Sequence, residues 1–470
     1  MSDRNNSPLE KLNDYKKDNY VCQRIQLTSP LLHIGVGAAG SLNLFEYIQE
    51  NKSIYFPNPT ALAEALQNSK TSQQNKALQR FTKQQSSRSG LLEQYEKLSQ
   101  EYISIIESQA NPREKDRQIA NILERLKNLY QEALGSEWLK DKDIFPKTGI
   151  SAMWVNRLLT KDTDVIAPMI RNGFGEIYIP GSSIKGAIRT AIAYYLLKHQ
   201  PPTKESDIEQ KLRQAIHPKM ADNKKKFLDD NLFLESTVSL NSYLFSNFTF
   251  RYQDRAFGKS KINKANTDLM RAIKVSDSDP INIDRKQKIN LPIVAEVLTS
   301  SFQASNGERI VADRARNYLE MISNLKTDLY ICIDKTMLDW FHREQGVEIP
   351  AQLKKVQGIL DICHEFAEAQ WEHEQNYWNK ITNSPSLNFS SIHHFYNSPC
   401  SHNLRLGWGS GMTGTTVGLL FQEQTRASIR DACGKPTNSS EAPKSRRTAT
   451  IPEQGNSIRK PLGWVKLEPL

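Results

Sequence analysis

Alternating apolar and polar positions near the start of the chain predict a β-strand. In the stretch VCQRIQL, Val21, Ile25 and Leu27 share one face, and most of the side chains between them are polar. A strand that is buried on one face shows this period of two. The stretch leads into TSPLLHIGVGAAGS, residues 28–41, whose glycines permit a tight turn or a close approach of the backbone to another group.

A helical period replaces the strand pattern between about residues 60 and 135. This segment is rich in Gln, Lys, Glu and Ser, and its apolar positions recur every three or four residues. Examples are Ile119, Ile122, Leu123, Leu126, Tyr130, Ala133 and Leu134. We interpret the segment as a helical hairpin or small bundle inserted into a strand-rich chain, with a structural role.

A strand-to-helix junction lies in EIYIPGSSIKGAIRTAIAYYLLK, residues 176–198. Pro180 and Gly181 end a short apolar strand, and a helical period follows from Ile184 onward. The pattern predicts a helix that begins at the serines, with Ser182 or Ser183 as its cap. The free N–H groups and the positive dipole end of such a helix favour an anion, most often a phosphate.

Two cations follow this predicted helix start. Lys185 and Arg189 lie four residues apart, on one side and just off the apolar stripe, so both could reach one polyanion. The alternative is a capped helix with two solvated cations, and the local pattern leaves both interpretations open. The stretch is not a Walker A loop, because that motif places Gly-Lys-Ser/Thr after its spacer, and here the order is Ser-Ile-Lys-Gly.

A second glycine-rich stretch, LRLGWGSGMTGTTVG, occupies residues 404–418. Gly409, Gly411 and Gly414 formally match G-x-G-x-x-G. A dinucleotide site also needs a following βαβ unit, whereas a polar, proline-bearing segment follows here, which disfavours that fold. The remaining interpretation is a donor-rich loop that follows a phosphodiester backbone, with Trp408 either as a stacking surface or as a core anchor.

Charge adds a preference for anionic partners. The chain has 470 residues, 38% of them hydrophobic, and a formal net charge of +10. Its length predicts about two to four domains, and its basic balance favours nucleic acid or an acidic membrane surface. Basic side chains concentrate in one segment, with only Asp254 and Asp268 opposing them. They are Arg251, Arg255, Lys259, Lys261, Lys264, Arg271 and Lys274.

The remaining composition predicts a cytoplasmic protein without a metal or cofactor. The N-terminus is polar, and no apolar run approaches the length of about 20 residues that a membrane span needs. Five cysteines without close pairs in sequence fit a reducing compartment. One cluster combines histidines and a cysteine, but its spacing matches no standard zinc pattern and favours an ordinary polar loop. It consists of His393, His394, Cys400 and His402.

Several stretches together resemble a known family. IPGSSIKGAIRTA resembles the signature at the first helix of RAMP-superfamily CRISPR proteins, and LRLGWGSGMTGTTVG resembles their glycine-rich loop. DLMRAIKVSDSDPI, KPLGWVKLE and IQLTSPLLHIGVG are similar to elements of the Csm subunit five family of type III-A effectors. The helical segment at about 60–135 has no counterpart in this resemblance.

The resemblance implies an α+β fold with an RRM-like (ferredoxin-like) βαββαβ RAMP core and a second, more degenerate module. The implied domains are residues 1–290, with a helical insertion at about 55–145, and residues 291–470, with the glycine-rich loop. The implied function is that of a non-catalytic subunit that binds the 3′ portion of the crRNA, caps the backbone filament, and supports crRNA maturation and antiviral defence. The implied partners are crRNA, the backbone RAMP subunit, the small helical subunit and target RNA, with no membrane.

The resemblance also implies which residues face the RNA. They come from the first loop, from the strand-to-helix junction, from the basic segment and from the late glycine-rich loop. They are His33, Gly35, Gly181, Ser182, Ser183, Lys185, Arg189, Arg271, Lys274, Trp408, Gly409, Ser410 and Gly411.

Two alternatives to this function stay open. The loop at residues 28–41 has no carboxylate, which departs from the RAMP backbone subunit that cuts target RNA with an Asp. A metal-independent crRNA-processing endoribonuclease would instead use His33 as general acid or base beside a Tyr or Lys. A protein-only scaffold would use the helical segments at about 60–135 and 351–380, and its basic residues would not touch RNA.

Overall fold

The computed structural model defines most of the chain. It describes residues 20–35, 40–68, 90–155, 159, 161, 164–199, 244–245, 249–252, 255–257, 268–305, 308–342, 348–381, 388–433, 441–453 and 456–470. Its strands are β1 (Tyr20–Leu32), β2 (Ile48–Glu50), β3 (Ser53–Tyr55), β4 (Ile150–Trp154), β5 (Ile166–Ala167), β6 (Thr249–Tyr252), β7 (Arg255–Phe257), β8 (Ile273–Val275), β9 (Leu291–Ser305), β10 (Glu308–Asp334), β11 (Phe341–His342), β12 (Leu404–Arg405), β13 (Ser445–Glu453), β14 (Asn456–Pro461) and β15 (Trp464–Pro469). Its helices are α1 (Pro59–Asn68), α2 (Gly90–Glu107), α3 (Pro112–Leu134), α4 (Gly181–His199), α5 (Lys335–Trp340), α6 (Val356–Trp378), α7 (Ser390–Tyr396), α8 (Gly411–Thr415) and α9 (Glu423–Cys433).

One large sheet organises the described residues. Its main path runs β12-β15-β1-β10-β9-β4-β3-β2, and a separate three-stranded sheet runs β11-β6-β7. Strand β1 pairs antiparallel with β10 on one side and with β15 on the other. The strand predicted at residues 21–27 is therefore confirmed, and Ile25 and Leu27 on its apolar face are fully buried.

Helices α4 and α6 cover the apolar face of β1. Ile184 and Ile188 of α4 join Ile25 and Leu27 in one core. Helix α6 packs beside α4, with the ring of Tyr194 4.8 Å from that of Phe366. The helical period predicted after the strand-to-helix junction is thus confirmed, because the residues that recur with that period are the ones that face the sheet.

The predicted helical insertion is also present. Helices α1, α2 and α3 lie between β3 and β4, which pair directly with each other. Ile119, Ile122, Leu126 and Tyr130 of α3 are buried in a core separate from that of α4. The insertion therefore adds a helical unit without interrupting the pairing of the strands that flank it.

The architecture confirms a mixed fold of strands and helices. The βαββαβ order of a ferredoxin-like core and the presence of a second module stay predictions. Strands from both sides of residue 290 share the large sheet, since β1 from the first predicted domain pairs with β10 and β15 from the second. The domain boundary also stays a prediction.

The sequence favours a reducing compartment, but two of the five cysteines are paired. Cys22 of β1 lies directly opposite Cys332 of β10, and the two form a disulfide. They are 310 residues apart in sequence. The register of two antiparallel strands, rather than any sequence motif, brings the two sulfur atoms together.

A buried ionic cluster joins α6 to the strands that flank the glycine-rich loop. Nε of Arg446 on β13 lies 2.8 Å from Glu374 of α6, and Nη1 of Arg405 on β12 lies 3.5 Å from the same carboxylate. Burial would raise the pKa of Glu374, but the two guanidinium groups hold it below its usual value. Nη2 of Arg446 also donates to Nε2 of His373 at 3.1 Å. Nε2 must be unprotonated to accept this bond.

We expect His373 to make stability depend on pH. Burial, and then the charge of Arg446, lower the pKa of His373 to about 4. The unfolded chain takes up a proton near the ordinary pKa of about 6.5, so stability falls as the pH drops from about 6.5 towards 4. Between pH 7 and about pH 5.5 the loss from this one group is about 1 kcal/mol. Thermal unfolding at both pH values should show a smaller loss for His373→Gln than for wild type, and equal losses would contradict the assignment.

Candidate nucleic-acid interface

Helix α4 begins one residue before the predicted serines, in close contact with the segment after β8. A Cβ atom on Gly181 would lie 2.5 Å from the carbonyl oxygens of Val275 and Ser276, so only glycine fits there. The N–H of Gly181 donates to Oδ1 of Asp277 at 2.8 Å. A carboxylate from a distant segment, rather than the predicted Ser182 or Ser183 hydroxyl, therefore occupies the first N–H of the helix.

The cations of α4 meet those of the segment around β8. Arg189 forms an ion pair with Asp268 at 2.8 Å, and its guanidinium lies 3.9 Å above the ring of Phe245. Partial burial lowers the pKa of Lys185, and although Asp268 opposes this, the nearby charges of Arg189 and Lys274 add to it. Arg189 is thus held in place by contacts within the protein. Nearby positive charges disfavour the charged form of Lys185, so a bound anion would stabilise that form.

Two further predicted residues lie beside this group. Arg271, in the turn before β8, is exposed. Lys274 on β8 is exposed as well, and its Nζ lies 5.0 Å from the centre of the Tyr20 ring. The side chains of the other five basic residues of the predicted segment 251–274 lie outside the described residues. Lys274 therefore lies on a strand that contacts α4, and Arg271 adjoins Asp268, the ion-pair partner of Arg189.

Three glycines of the late glycine-rich loop adopt positive φ angles. Gly407, Gly409 and Gly411 have φ of +70°, +128° and +61°. Ser410 is buried, and its Oγ donates to the carbonyl of Gly407 at 2.8 Å. A Cβ on Gly411 would meet no atom within 4 Å. The loop ends in α8, which contacts α4, so the open backbone at Gly411 adjoins the helix that carries Lys185.

Three sequence blocks that carry the family resemblance meet at the end of β1. The N–H of Trp408 donates to the carbonyl of His33 at 3.1 Å. A Cβ on Gly407 would lie 2.0 Å from the same oxygen. The N–H of Gly463, in the terminal block, donates to the carbonyl of Leu31 at 3.1 Å. The first loop, the glycine-rich loop and the terminal block therefore form one packed unit.

His33 lies inside this unit. Its side chain is 3% exposed, and Nδ1 lies 2.6 Å from the carbonyl of Glu320, so Nδ1 carries the proton. Burial lowers the pKa of His33, and the hydrogen bond and charge of Glu320 oppose this only in part. A Cβ on Gly35 would lie 2.5 Å from Nε2 of the ring. His33 and Gly35 thus hold the first loop in place, and the imidazole is withdrawn from solvent.

Trp408 is half-buried, and its ring makes a cation–π contact. Its indole packs against a core formed largely by β9, β10 and β13. The guanidinium of Arg447 lies 4.1 Å from the centre of the ring. Burial lowers the pKa of Arg447, which is the mark of an incompletely hydrated charge. Sequence reasoning missed Arg447, because no local pattern pairs it with a tryptophan 39 positions earlier.

The histidines and the cysteine near residue 400 serve packing. Nε2 of His393 bonds to the carbonyl of Trp378 at 3.0 Å, and the ring of His402 stacks on that of Trp371. Sγ of Cys400 donates to the carbonyl of His402. Among the described residues, no group of His, Cys, Asp or Glu side chains is arranged to hold a metal ion. Nor is any helix in that part of the chain long and apolar enough to cross a membrane.

Comparison with known proteins decides the family. The profile of the RAMP superfamily matches residues 24–330. The chain belongs to the RAMP superfamily. This match spans most of β1, the insertion, all of α4 and most of β10, so it includes the first loop and the cations around Lys185. No curated protein matches this RAMP chain.

Two solved structures are similar to this RAMP protein. One is a chain of the "Cryo-EM structure of Csm-crRNA-target RNA ternary complex in type III-A CRISPR-Cas system", with a TM-score of 0.49 and 22% identity over 95% of this chain and 100% of that chain. The other is the crystal structure of T. onnurineus Csm5, with a TM-score of 0.49 and 19% identity over 94% of this chain and 100% of that chain.

Proposed function

We propose that this RAMP protein is a non-catalytic, cytoplasmic, crRNA-binding subunit of a type III-A CRISPR (Csm) effector complex. It binds the 3′ portion of the crRNA and caps the backbone filament, and so supports crRNA maturation and antiviral defence. Its partners are the crRNA, the backbone RAMP subunit, the small helical subunit and target RNA. Membership of the superfamily and the sequence blocks similar to the Csm subunit five family support this assignment.

The observation that carries the proposal is the juxtaposition of cations and open backbone beside α4. Strand β8, which carries Lys274, contacts α4, and the charge of Lys274 lowers the pKa of Lys185. Helix α8, which begins at the open position of Gly411, contacts α4. Cations that contact phosphates, next to a backbone that can be approached closely, suit a single-stranded RNA. Asp277 already occupies the first N–H of α4, so the lysines carry more of the phosphate binding than the helix dipole.

The burial of His33 favours the non-catalytic role. A general acid or base must come within hydrogen-bond reach of the proton that it transfers. The Nδ1 proton of His33 is committed to the Glu320 carbonyl, and Nε2 faces Gly35. An RNA 2′-hydroxyl would have to displace the first loop to reach this ring.

We therefore expect His33→Ala to leave RNA processing unchanged. The purified chain, incubated with crRNA precursor in EDTA, should give the same products for wild type and variant, because the imidazole takes part in no proton transfer. Circular dichroism on both proteins controls for folding, since His33 is buried. Discrete products that form with wild type and vanish with a folded His33→Ala protein would establish the endoribonuclease instead.

A copurification experiment tests the proposed function itself. The chain and its partner subunits are purified without nuclease treatment, and the bound RNA is extracted and sized. We expect RNA of discrete length that copurifies in a fixed ratio to the chain. A complex that assembles from this chain and its partners but contains no RNA would support the protein-only scaffold.

A further inference from the structure

The face of the sheet opposite α4 and α6 carries a second exposed surface. Residues that lie directly opposite each other in antiparallel strands project to the same face, and neighbours along a strand alternate. Ile25 and Leu27 face the helices, so the residues between and beside them face away. We define the open sheet face by nine residues from four strands. They are Arg24, Gln26 and Thr28 of β1, Lys326, Asp328 and Tyr330 of β10, Lys466 and Glu468 of β15, and Lys274 of β8.

An exposed aromatic ring lies within the open sheet face. Tyr330 is 48% exposed, although it belongs to the interior of a long strand. Its backbone is fixed on one side by Arg24, its direct partner on β1. On the other side its N–H donates to Oγ of Ser276 at 2.9 Å, and its carbonyl accepts from the N–H of Ser276 at 3.0 Å. Tyr330 therefore has a fixed backbone and an exposed ring that a ligand can reach.

Cations flank this ring on both sides. Lys326 lies four residues from Tyr330 on the same strand, about 13 Å away. Lys274 of β8 lies directly opposite Cys332, which is two residues, or about 7 Å, from Tyr330 along β10. Neither lysine has an ion pair with a described residue. The acids of the face are neutralised locally, because Asp328 pairs with Arg24 at 2.6 Å and Glu468 pairs with Lys466 at 2.5 Å.

The surroundings of Tyr330 disfavour a protein partner. The core of a protein interface is apolar and poor in charge. Around Tyr330 the open sheet face instead presents Gln26, Thr28, Asp328 and Lys326. An exposed aromatic ring within a polar surface that has more cations than acids suits a ligand that has both flat bases and phosphates.

We infer that the open sheet face binds a segment of single-stranded RNA. Tyr330 stacks on one base, and Lys274 and Lys326 contact phosphates on either side of it. Lys274 lies on β8, which contacts α4, so the open sheet face adjoins the α4 surface. This inference rests on the proposed RNA-binding function and extends the RNA path onto a second surface.

Fluorescence anisotropy with a short labelled single-stranded RNA tests the inference on the full chain. We expect Tyr330→Ala to weaken binding about tenfold, because stacking on one base is lost. Tyr330→Phe, which keeps the ring, should bind within about twofold of wild type. Phe174→Ala serves as a control, since this ring is 89% exposed at a turn outside the open sheet face, and should bind as wild type does.

Salt dependence separates stacking from phosphate contact. Tyr330→Ala should keep the wild-type slope of log affinity against log salt, whereas Lys326→Gln should reduce it by about 0.7. Wild-type affinity for Tyr330→Ala overturns the inference. The inference is also overturned if the Tyr330→Ala protein binds RNA normally but copurifies with less partner subunit. That result assigns the surface to protein docking.

The outcomes also distinguish this inference from the proposed function. If the wild-type chain binds no RNA, alone or in its complex, both fail. If Lys185→Ala weakens binding while Tyr330→Ala and Lys326→Gln do not change it, the proposed function stands and only Tyr330 and Lys326 are removed from the RNA path.

Discussion

Replacing Lys185 and Lys274 together by alanine should weaken crRNA binding by about a hundredfold. Each lysine is expected to make one charge-assisted phosphate contact worth about 1.5 kcal/mol, and every 1.4 kcal/mol is about tenfold in affinity. The lysines are the informative pair because Arg189 is bound to Asp268 and Phe245, so that its removal would also disturb the protein.

Salt dependence gives this prediction a second readout. Two lost phosphate contacts on a single strand should reduce the slope of log affinity against log salt by about 1.4. Lys97→Ala with Lys140→Ala removes the same charge from exposed positions on the helical insertion and serves as the matched control. If both double variants lose the same modest affinity, then the effect is one of net charge, and the phosphate contacts are not at α4.

The second large effect is expected at Gly411. Gly411→Val should lower crRNA retention in the assembled complex about tenfold, because a branched side chain would block the approach of a phosphate to the open backbone and lose one charged hydrogen bond. Its cost in stability should be limited to the left-handed φ of +61°, about 1 to 2 kcal/mol, since a Cβ there meets no protein atom. Retained RNA and the free energy of unfolding are measured on the same preparation.

Two other glycines in this chain provide controls for strain. Gly135 has a φ of +86° and equally open surroundings at the end of α3. Gly135→Val should therefore lose at least as much stability without losing RNA. Gly407→Ala should lower the free energy of unfolding by about 3 kcal/mol, because its Cβ would clash with the His33 carbonyl. In this variant the loss of stability should exceed the loss of RNA retention, the reverse of Gly411→Val. If Gly411→Val behaves like Gly135→Val, the glycine-rich loop does not contact RNA.

The parts of the fold that were predictable are those that a local pattern encodes. The period of two around Ile25 and Leu27 reports a strand with one buried face, and the spacing from Ile119 to Tyr130 reports a helix with one buried stripe. The glycine-rich stretch at 404–418 predicted a donor-rich loop, and Gly407, Gly409 and Gly411 there have positive φ. In each case the physical cause lies within one turn or one strand of the residue.

The features that sequence reasoning missed depend on partners far along the chain. The first N–H of α4 is bound by Asp277, 96 residues later, so the serines beside it are not needed as caps. His33 follows a strand in sequence, but the carbonyl of Glu320, 287 residues away, holds it inside the protein. Arg189 has the sequence pattern of a free cation, but it forms an ion pair with Asp268, 79 residues later. Tertiary contacts of this kind leave no periodicity in the sequence.

The central claim is that the surface formed by α4 and the glycine-rich loop contacts the 3′ portion of the crRNA. The most direct measurement is site-specific photocrosslinking in the complete complex, assembled on crRNA that carries a single photoactivatable uridine. We predict that a probe near the 3′ end crosslinks to peptides containing residues 181–189 or 407–411, and that a probe near the 5′ end does not. Crosslinks from the 5′ probe to these peptides, or none from the 3′ probe in a fully assembled complex, would contradict the account.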